Sequence, residues 1–424
     1  MAKARINRQM ITAGIVGNIM EWYDFAVYGY FAPVIGKHFF PSDDPTASVI
    51  AAFGVFAAGF LMRPIGSIVF GHIGDKLGRR QALTLSVILM ALPTFFIGVL
   101  PGHATIGASA AVLLVVMRML QGLSVGGEYT TSMVFLVEHS PPGRRAFMGC
   151  WSIWGAVAGI LVGSAVGALI TNVMPADQVA AWGWRIPFLF GIAIGLTGFY
   201  LRRQNRGEDT APADRPKSPV IEAFRTEWRA MLKIAGFNVV NATGFYLCFV
   251  YVTTWLQETA HVSSARALDI NSVNMALFLL FIPLAALLAD RFGRKPLLIT
   301  GVTGLLLLAY PLFALMHHGE TKMIFLGQFG FVVVMSLIFG TYPATMVEMV
   351  SPRVRVSALS IGYNLCLGIF GGTTPLISAY LIARTHNDLA PAFYLIATAV
   401  VSLLVLFTIK ETADRDIHAA SGGG

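Results

Sequence analysis

From Gly71 to Arg80 this chain reads GHIGDKLGRR, and a version of the same stretch returns as LLADRFGRK from Leu287 to Lys295. Each copy orders an acid, a base, an apolar residue, Gly and two further bases. Asp75 answers Asp290, Gly78 answers Gly293, and Arg79 with Arg80 answers Arg294 with Lys295. A long apolar run precedes each copy and another follows it. A short charged turn between apolar runs of that length is a tight connection between two membrane-crossing helices, and its return marks an internal duplication. A second echo supports this: Glu138 stands shortly before SPPGRR, and Glu348 shortly before SPRVR.

Composition agrees with a chain that lives in lipid. Of its 424 residues 56% are hydrophobic and only 12% charged, where soluble domains carry about 25% charged residues. Mean hydropathy is +0.69. A helical span needs about 20 mainly apolar residues, and twelve stretches qualify: 13–35, 49–71, 82–100, 108–138, 146–173, 184–202, 232–257, 270–289, 297–317, 323–349, 356–383 and 389–409. We number them spans 1 to 12. Their continuity rules out a barrel, whose strands alternate over about ten residues. The reading is an all-α membrane protein of twelve transmembrane helices in two six-helix bundles. The halves cover 1–203 and 232–410, joined by a linker at 204–231, with a short tail at 411–424. Within the linker, QNRGEDTAPADRPKSP is too polar to bury. VIEAFRTEWRAMLK follows it with Val220, Phe224, Trp228 and Met231 at helical spacing, which predicts an amphipathic helix at the membrane surface.

A net charge of +8 invites a nucleic-acid reading, but the distribution of the bases answers it. On the twelve-span topology 23 of the 30 Lys and Arg fall on the side of both termini and five on the other. That is the positive-inside pattern, so both termini are expected in the cytoplasm and no nucleic acid is needed. Cys150, Cys248 and Cys366 lie far apart in apolar surroundings and read as packing residues without metal or disulfide spacing. The first apolar run follows a basic start without a cleavage pattern and reads as a retained span.

Ionisable groups inside a span cost roughly 2.5 to 3.5 kcal/mol on insertion scales and are therefore functional candidates. In span 1, Asn18, Glu21, Asp24 and Tyr28 step by three or four residues and form one polar stripe. Arg118, Gln121 and Glu128 do the same in span 4. The second half offers uncharged groups instead: Asn238, Asn241, Tyr246, Tyr251, Asn274, Gln328, Tyr342, Tyr363 and Asn364. Glu21, Asp24 and Glu128 are thus the proton-coupling candidates. Arg118 suits a substrate carboxylate through two parallel hydrogen bonds, with Gln121, Tyr28, Asn18, Tyr363 and Asn364 as further substrate contacts. The competing reading has Arg118 pair with Glu21, Asp24 or Glu128 and touch no ligand. Arg63, beside Pro64 and near the turn motif, reads as structural. Trp22, Tyr23, Trp151 and Trp154 can stack on a cationic ammonium or serve as packing and interface anchors.

The turn residues suit gating. Gly71 and Gly78 permit close approach and a sharp turn. Asp75 can meet a facing helix N-terminus, or Arg145 or Arg355. Asp290 with Arg294 repeats the arrangement. Glu138 is expected to latch to Arg144 or Arg145, and Glu348 to Arg353 or Arg355. Glycines 155, 159, 163 and 167 in span 5 form a contact face for another helix. Phe370, Gly371, Gly372 and Pro375 mark a bend in span 11.

The paired turn resembles the hallmark of the major facilitator superfamily, although the second copy is apolar where the first has Gly71. GNIMEWYDFAVYGYF (17–31), FLMRPIG (60–66), RMLQGLSVGGEYT (118–130) and WGWRIPF (182–188) resemble the metabolite:proton symporters of bacterial inner membranes. Members of that family carry citrate, 2-oxoglutarate, shikimate, or zwitterions such as proline and betaine. KETADR (410–415) and the GGEYT stretch lean toward the osmoprotectant branch. The resemblance implies alternating access driven by the proton gradient without a cofactor or bound metal, in a monomeric transport unit. Its expected partners are protons, a small substrate and the bilayer. An organic acid, favoured by Arg118, is the first expectation for the substrate. A zwitterion, a drug exported against protons, and a non-transporting sensor on the same fold are the alternatives. No P-loop, metal cluster or activated nucleophile points to an enzyme.

Overall fold

The computed structural model describes residues 8–77, 79–124, 128–192, 219–413 and 417. For 8–14, 16–17, 20, 71–72, 74–77, 79–84, 87 and 128 only the course of the helix is described. The described chain is almost entirely helical. Nine of its helices are long and apolar enough to cross a membrane: Pro45–Phe70, Ser109–Glu138, Arg145–Val173, Trp228–Thr259, Ser264–Phe292, Arg294–His317, Thr321–Met349, Arg355–Thr385 and Ala390–Phe407. These are spans 2, 4, 5 and 7 to 12. Span 1 is the helix Arg8–Tyr30, span 3 lies in Arg79–Val99, and the described part of span 6, 184–192, opens in the 3-10 turn Gly183–Arg185 and is α-helical over 186–192.

Two boundaries move from their sequence expectation. Span 1 ends at Tyr30, and the chain bends at Phe31 into a short helix, Ala32–Phe39, rather than running straight on to 35. The amphipathic helix is only Pro219–Thr226, because Trp228 already begins span 7. Phe224 and Trp228 remain exposed while Met231 is buried, so the four apolar residues do not share one face.

Local chemistry explains the helix ends. Asp44 accepts a hydrogen bond from the Thr46 amide at 2.9 Å while Pro45 occupies the first helical position, a favoured start for span 2. The repeated turn between spans 8 and 9 is made at Gly293, whose φ of +98° lies where a side chain is strained. Large apolar residues such as Val112, Leu169, Leu307 and Leu404 face outward, as a lipid-facing surface requires.

The halves meet along two seams, span 5 against span 8 and span 2 against span 11. Each seam becomes the other when the halves are exchanged, as an internal duplication demands. Within the first half, span 1 packs on span 5 along the glycine stripe. A Cβ at Gly159 would fall 2.3 Å from the Ile19 carbonyl oxygen, so only glycine permits this approach.

Candidate substrate and proton site

Between the halves lies a narrow cavity, wide enough in this conformation for about one water molecule. Trp22, Ile153, Ala156, Val157 and Ile160 wall it from the first half; Asn241, Phe245, Tyr246, Phe339, Tyr363 and Leu367 from the second. Five aromatic rings thus surround one small space. Trp22 Nε1, Asn241 Oδ1 and Tyr246 Oη are buried and meet no hydrogen-bond partner among the described residues. An unmet buried polar atom costs about 1 to 3 kcal/mol, so three on one cavity suit a polar guest.

Two charged networks stand beside this space, both rooted in span 1. In one, Arg63 Nη2 donates to Glu21 Oε1 at 3.2 Å and Arg63 Nε to Asn364 Oδ1 at 3.4 Å, joining spans 1, 2 and 11 across the halves. The guanidinium lies 4.9 Å from the centre of the Trp22 ring. Arg63 is therefore a buried, ion-paired core residue at the cavity's edge.

In the other network, Arg118 Nη1 donates to Gln121 Oε1 at 2.8 Å, Gln121 Nε2 to Thr94 Oγ1 at 2.6 Å, and Thr94 Oγ1 to Asp24 Oδ2 at 2.6 Å. Arg118 reaches Asp24 through two neutral side chains. Its guanidinium rests on the rings of Tyr28 at 4.3 Å and Phe25 at 4.7 Å. Stacking of this kind offsets part of the cost of burying a cation.

The six expected substrate contacts separate accordingly. Tyr363 lines the cavity and Asn364 holds Arg63 beside it. Arg118 and Gln121 belong to the Asp24 chain. Tyr28 donates its hydroxyl to the Ala52 carbonyl at 3.0 Å, and Asn18 donates to the Ser152 carbonyl at 3.1 Å. Trp22 lines the cavity, whereas Tyr23 donates to the Pro187 carbonyl and Trp154 to the Leu279 carbonyl. The side chain of Glu128 lies outside the described residues.

Two π-helical turns adjoin the cavity, Tyr246–Tyr251 in span 7 and Leu367–Gly371 in span 11. The second sits at the bend expected before Pro375; nothing in the sequence pattern announced the first. Such turns release carbonyls from the helix ladder and gather at functional sites. The Phe249 carbonyl accepts from Tyr30 Oη at 2.9 Å, and the Cys248 carbonyl from Gln328 Nε2 at 3.0 Å. Asn271 joins Tyr30, Ser164 and Gln328, closing the end of the bundle opposite the repeated turns with neutral hydrogen bonds.

The end that carries the turns is closed by charge. Asp290 accepts from the Ala146 and Phe147 amides, both at 2.9 Å, at the N-terminus of span 5. The expected pairing of an acid with a helix N-terminus thus occurs in the second copy of the motif. Gly71, Asp75 and Arg79 sit where only the helix course is described, and Gly78 lies outside the described residues. Two of the latches cross between the halves, Glu138 with Arg355 and Glu348 with Arg145, while Glu348 with Arg294 closes within the second half. Glu138 pairs with Arg355, not with Arg144 or Arg145; Glu348 pairs with Arg294 at 3.1 Å and Arg145 at 3.6 Å, not with Arg353 or Arg355. Arg353 instead meets Glu222 of the linker helix at 2.6 Å. Local spacing suggested neighbours, but packing brings Glu138 to a base of the other half and Glu348 to the start of span 9 as well as to Arg145. Glu411 adds to this end by accepting from the Arg294 and Lys295 amides at 2.9 and 3.0 Å, which caps span 9.

Two helical halves related by duplication, closed at both ends around an aromatic cavity, define a multi-pass membrane transporter of the major facilitator fold. The sugar (and other) transporter family matches residues 10–203 and 206–421, and the chain belongs to that family. The proline/betaine transporter of Salmonella typhimurium is 36% identical over 428 residues, covering 98% of this chain and 85% of that protein. The glycine betaine/proline/ectoine/pipecolic acid transporter OusA of Dickeya dadantii is 36% identical over 431 residues, with the same coverage. Among solved structures, a D-xylose-proton symporter superposes with a TM-score of 0.76 at 18% identity, covering 96% of this chain and 98% of that one. The inward-open xylose transporter XylE from E. coli superposes at 0.70 with 17% identity, covering 96% and 97%. At that identity the likeness is one of fold.

Proposed function

We propose that this chain is a proton-driven symporter that takes compact zwitterions, glycine betaine or proline in kind, into the cell by alternating access. The observation that carries the reading is the cavity. Five rings around a small space suit a positively charged nitrogen, which is attracted to aromatic faces. Buried cations beside it suit a carboxylate. The names of the relatives run to proline and betaine, which favours a zwitterion over the organic acid placed first on the strength of Arg118. Arg118 donates to Gln121 through Nη1 and stacks on aromatics while Nε and Nη2 meet no partner among the described residues, so Arg118 by itself does not separate an acid from a zwitterion.

Asp24 and Glu21 are the proton carriers in this reading. Both are buried carboxylates on span 1, and one oxygen of Asp24 meets no partner among the described residues. No cofactor takes part, and a single chain is the transport unit. The excess of bases at the turn-bearing end supports a cytoplasmic position for that end and both termini, with the spans in the inner membrane of a bacterium. Glu138, Arg145, Glu348, Arg355, Asp290 and Arg294 close that face while the cavity is loaded from outside.

The test is uptake into proteoliposomes bearing an inward proton gradient, with radiolabelled glycine betaine, proline, citrate and 2-oxoglutarate run side by side. Accumulation of a zwitterion that a protonophore abolishes is the expected result. Accumulation of the acids alone would overturn the substrate class, and uptake indifferent to the protonophore would overturn the coupling.

A further inference from the structure

We infer that Arg63 is the receptor for the substrate's carboxylate and that its bond to Glu21 is exchanged for a bond to the substrate during transport. The inference rests on the zwitterion reading and adds to it a site and a means of coupling.

The geometry around Arg63 is that of a half-used receptor. A guanidinium presents five N–H donors in a planar fork that matches a carboxylate through two parallel bonds. Arg63 spends Nη2 on one Glu21 oxygen and Nε on Asn364, while the buried Nη1 meets no acceptor among the described residues. The Nη1 and Nη2 edge is therefore engaged by a single carboxylate contact although it is shaped for two. Its surroundings join it to the cavity. The guanidinium lies over Trp22, a cavity wall, and Asn364 follows Tyr363, another wall. A zwitterion with its carboxylate on Arg63 has its charged nitrogen directed among Trp22, Tyr246 and Tyr363.

Exchange supplies the coupling. A substrate carboxylate that takes Nη2 leaves Glu21 without its cation in a buried site, where an isolated carboxylate is strongly disfavoured and a carboxyl is not. One proton from the open side then binds Glu21; the substrate carboxylate takes its place as the partner of Arg63, and the loaded site carries one positive charge more than the empty one, that of the cotransported proton. Release reverses the order: the proton leaves, Glu21 recovers Arg63, and the substrate is displaced. Among the described residues, the ionisable groups around Glu21 include Arg63 from span 2, Tyr246 from span 7 and Tyr363 from span 11, with Asp24 and Arg118 one layer further on. Within this group Glu21 is the carboxylate bonded to Arg63.

The experiment measures equilibrium binding and counterflow exchange of radiolabelled glycine betaine, with choline as a cation lacking the carboxylate. The proteins are wild type, Arg63→Lys, Glu21→Gln and the charge-neutral double variant Glu21→Gln/Arg63→Gln, each checked for folding by its thermal transition. Arg63→Lys is expected to raise the betaine Kd by roughly tenfold to a hundredfold, since it replaces a fork by a point charge. Glu21→Gln is expected to keep binding and exchange, lose accumulation, and bind betaine independently of pH between 5 and 8. The double variant, which leaves no uncompensated charge, is expected to fold and to bind betaine no better than choline. Betaine affinity within twofold of wild type in Arg63→Lys or in the double variant would overturn the receptor. Pumping by Glu21→Gln with wild-type pH dependence would overturn the exchange. Should wild type bind citrate or 2-oxoglutarate and no zwitterion, the substrate class falls, and loss of that acid's binding in Arg63→Lys still upholds the receptor.

Discussion

The two halves of this transporter descend from one plan, yet their interiors are chemically unlike. The first half buries Glu21, Asp24, Arg63 and Arg118 in mid-span, while the second faces them with Asn241, Tyr246, Tyr342, Tyr363, Asn364 and Gln328. A carboxylate can change its charge as the cavity turns from one side to the other; an amide or phenol at neutral pH supplies dipoles and ring faces of constant charge. The contrast separates the labour: the first half holds what titrates, and the second shapes the space.

The strongest break in that contrast is Asp24→Asn, which removes a charge from the first half and is expected to reduce accumulation to background while leaving exchange intact. Uptake against counterflow in proteoliposomes reads it. If Gln328→Leu in the second half abolished proton dependence equally, the division would be wrong. Next in size is Tyr246→Ala, expected to weaken betaine binding by roughly tenfold, the scale of one or two desolvated cation–π contacts, with the pH profile unchanged. Tyr246→Phe keeps the ring and separates its face from its hydroxyl. Asp290→Asn weakens a charge-assisted contact between the halves by about 1 to 2 kcal/mol. It should show as faster labelling of cysteines placed at the turn-bearing end.

The smallest effect is expected from Glu411→Gln, which weakens a half-buried cap worth about 1 kcal/mol or less. Burial works against ionisation of Glu411, but the amides of Arg294, Ala413, Lys295 and Thr412 outweigh it and leave its pKa below the ordinary value. A carboxylate so depressed contributes its stability above the unfolded-state pKa and loses it as pH falls through the folded one. Melting temperatures of wild type and Glu411→Gln should therefore converge on acidification and differ at neutral pH.

Much of this was readable before any coordinates. The paired turns, the span count and the one-sided distribution of buried charge are periodic or compositional, and such signals survive in a string of letters. The acid-to-helix contact was anticipated in kind and occurs at Asp290. What escaped were relations set by packing. Arg63 read as structural beside Pro64 and near the motif; no spacing announced its partner Glu21, 42 positions away. The latches were assigned to neighbours, whereas Arg355 reaches Glu138 from 217 positions off. The π-turn in span 7 has no glycine or proline to announce it, and it becomes visible only through Tyr30 and Gln328 occupying its carbonyls.

The glycine contact between spans 1 and 5 has a mechanical consequence. Helices that touch backbone to backbone, as at Gly159 and Ile19, cannot slide past one another without collision, so spans 1 and 5 travel as a single beam. Span 5 also rests on span 8, through Ser164 against Ser272 at 2.8 Å and, at the end of the glycine stripe, Gly167 against the end of Leu268. The seam with span 8 is held by hydrogen bonds of Ser164 and Trp154, which relative motion of the halves must exchange, whereas the glycine seam holds the carboxylates of span 1 at a fixed distance from span 5.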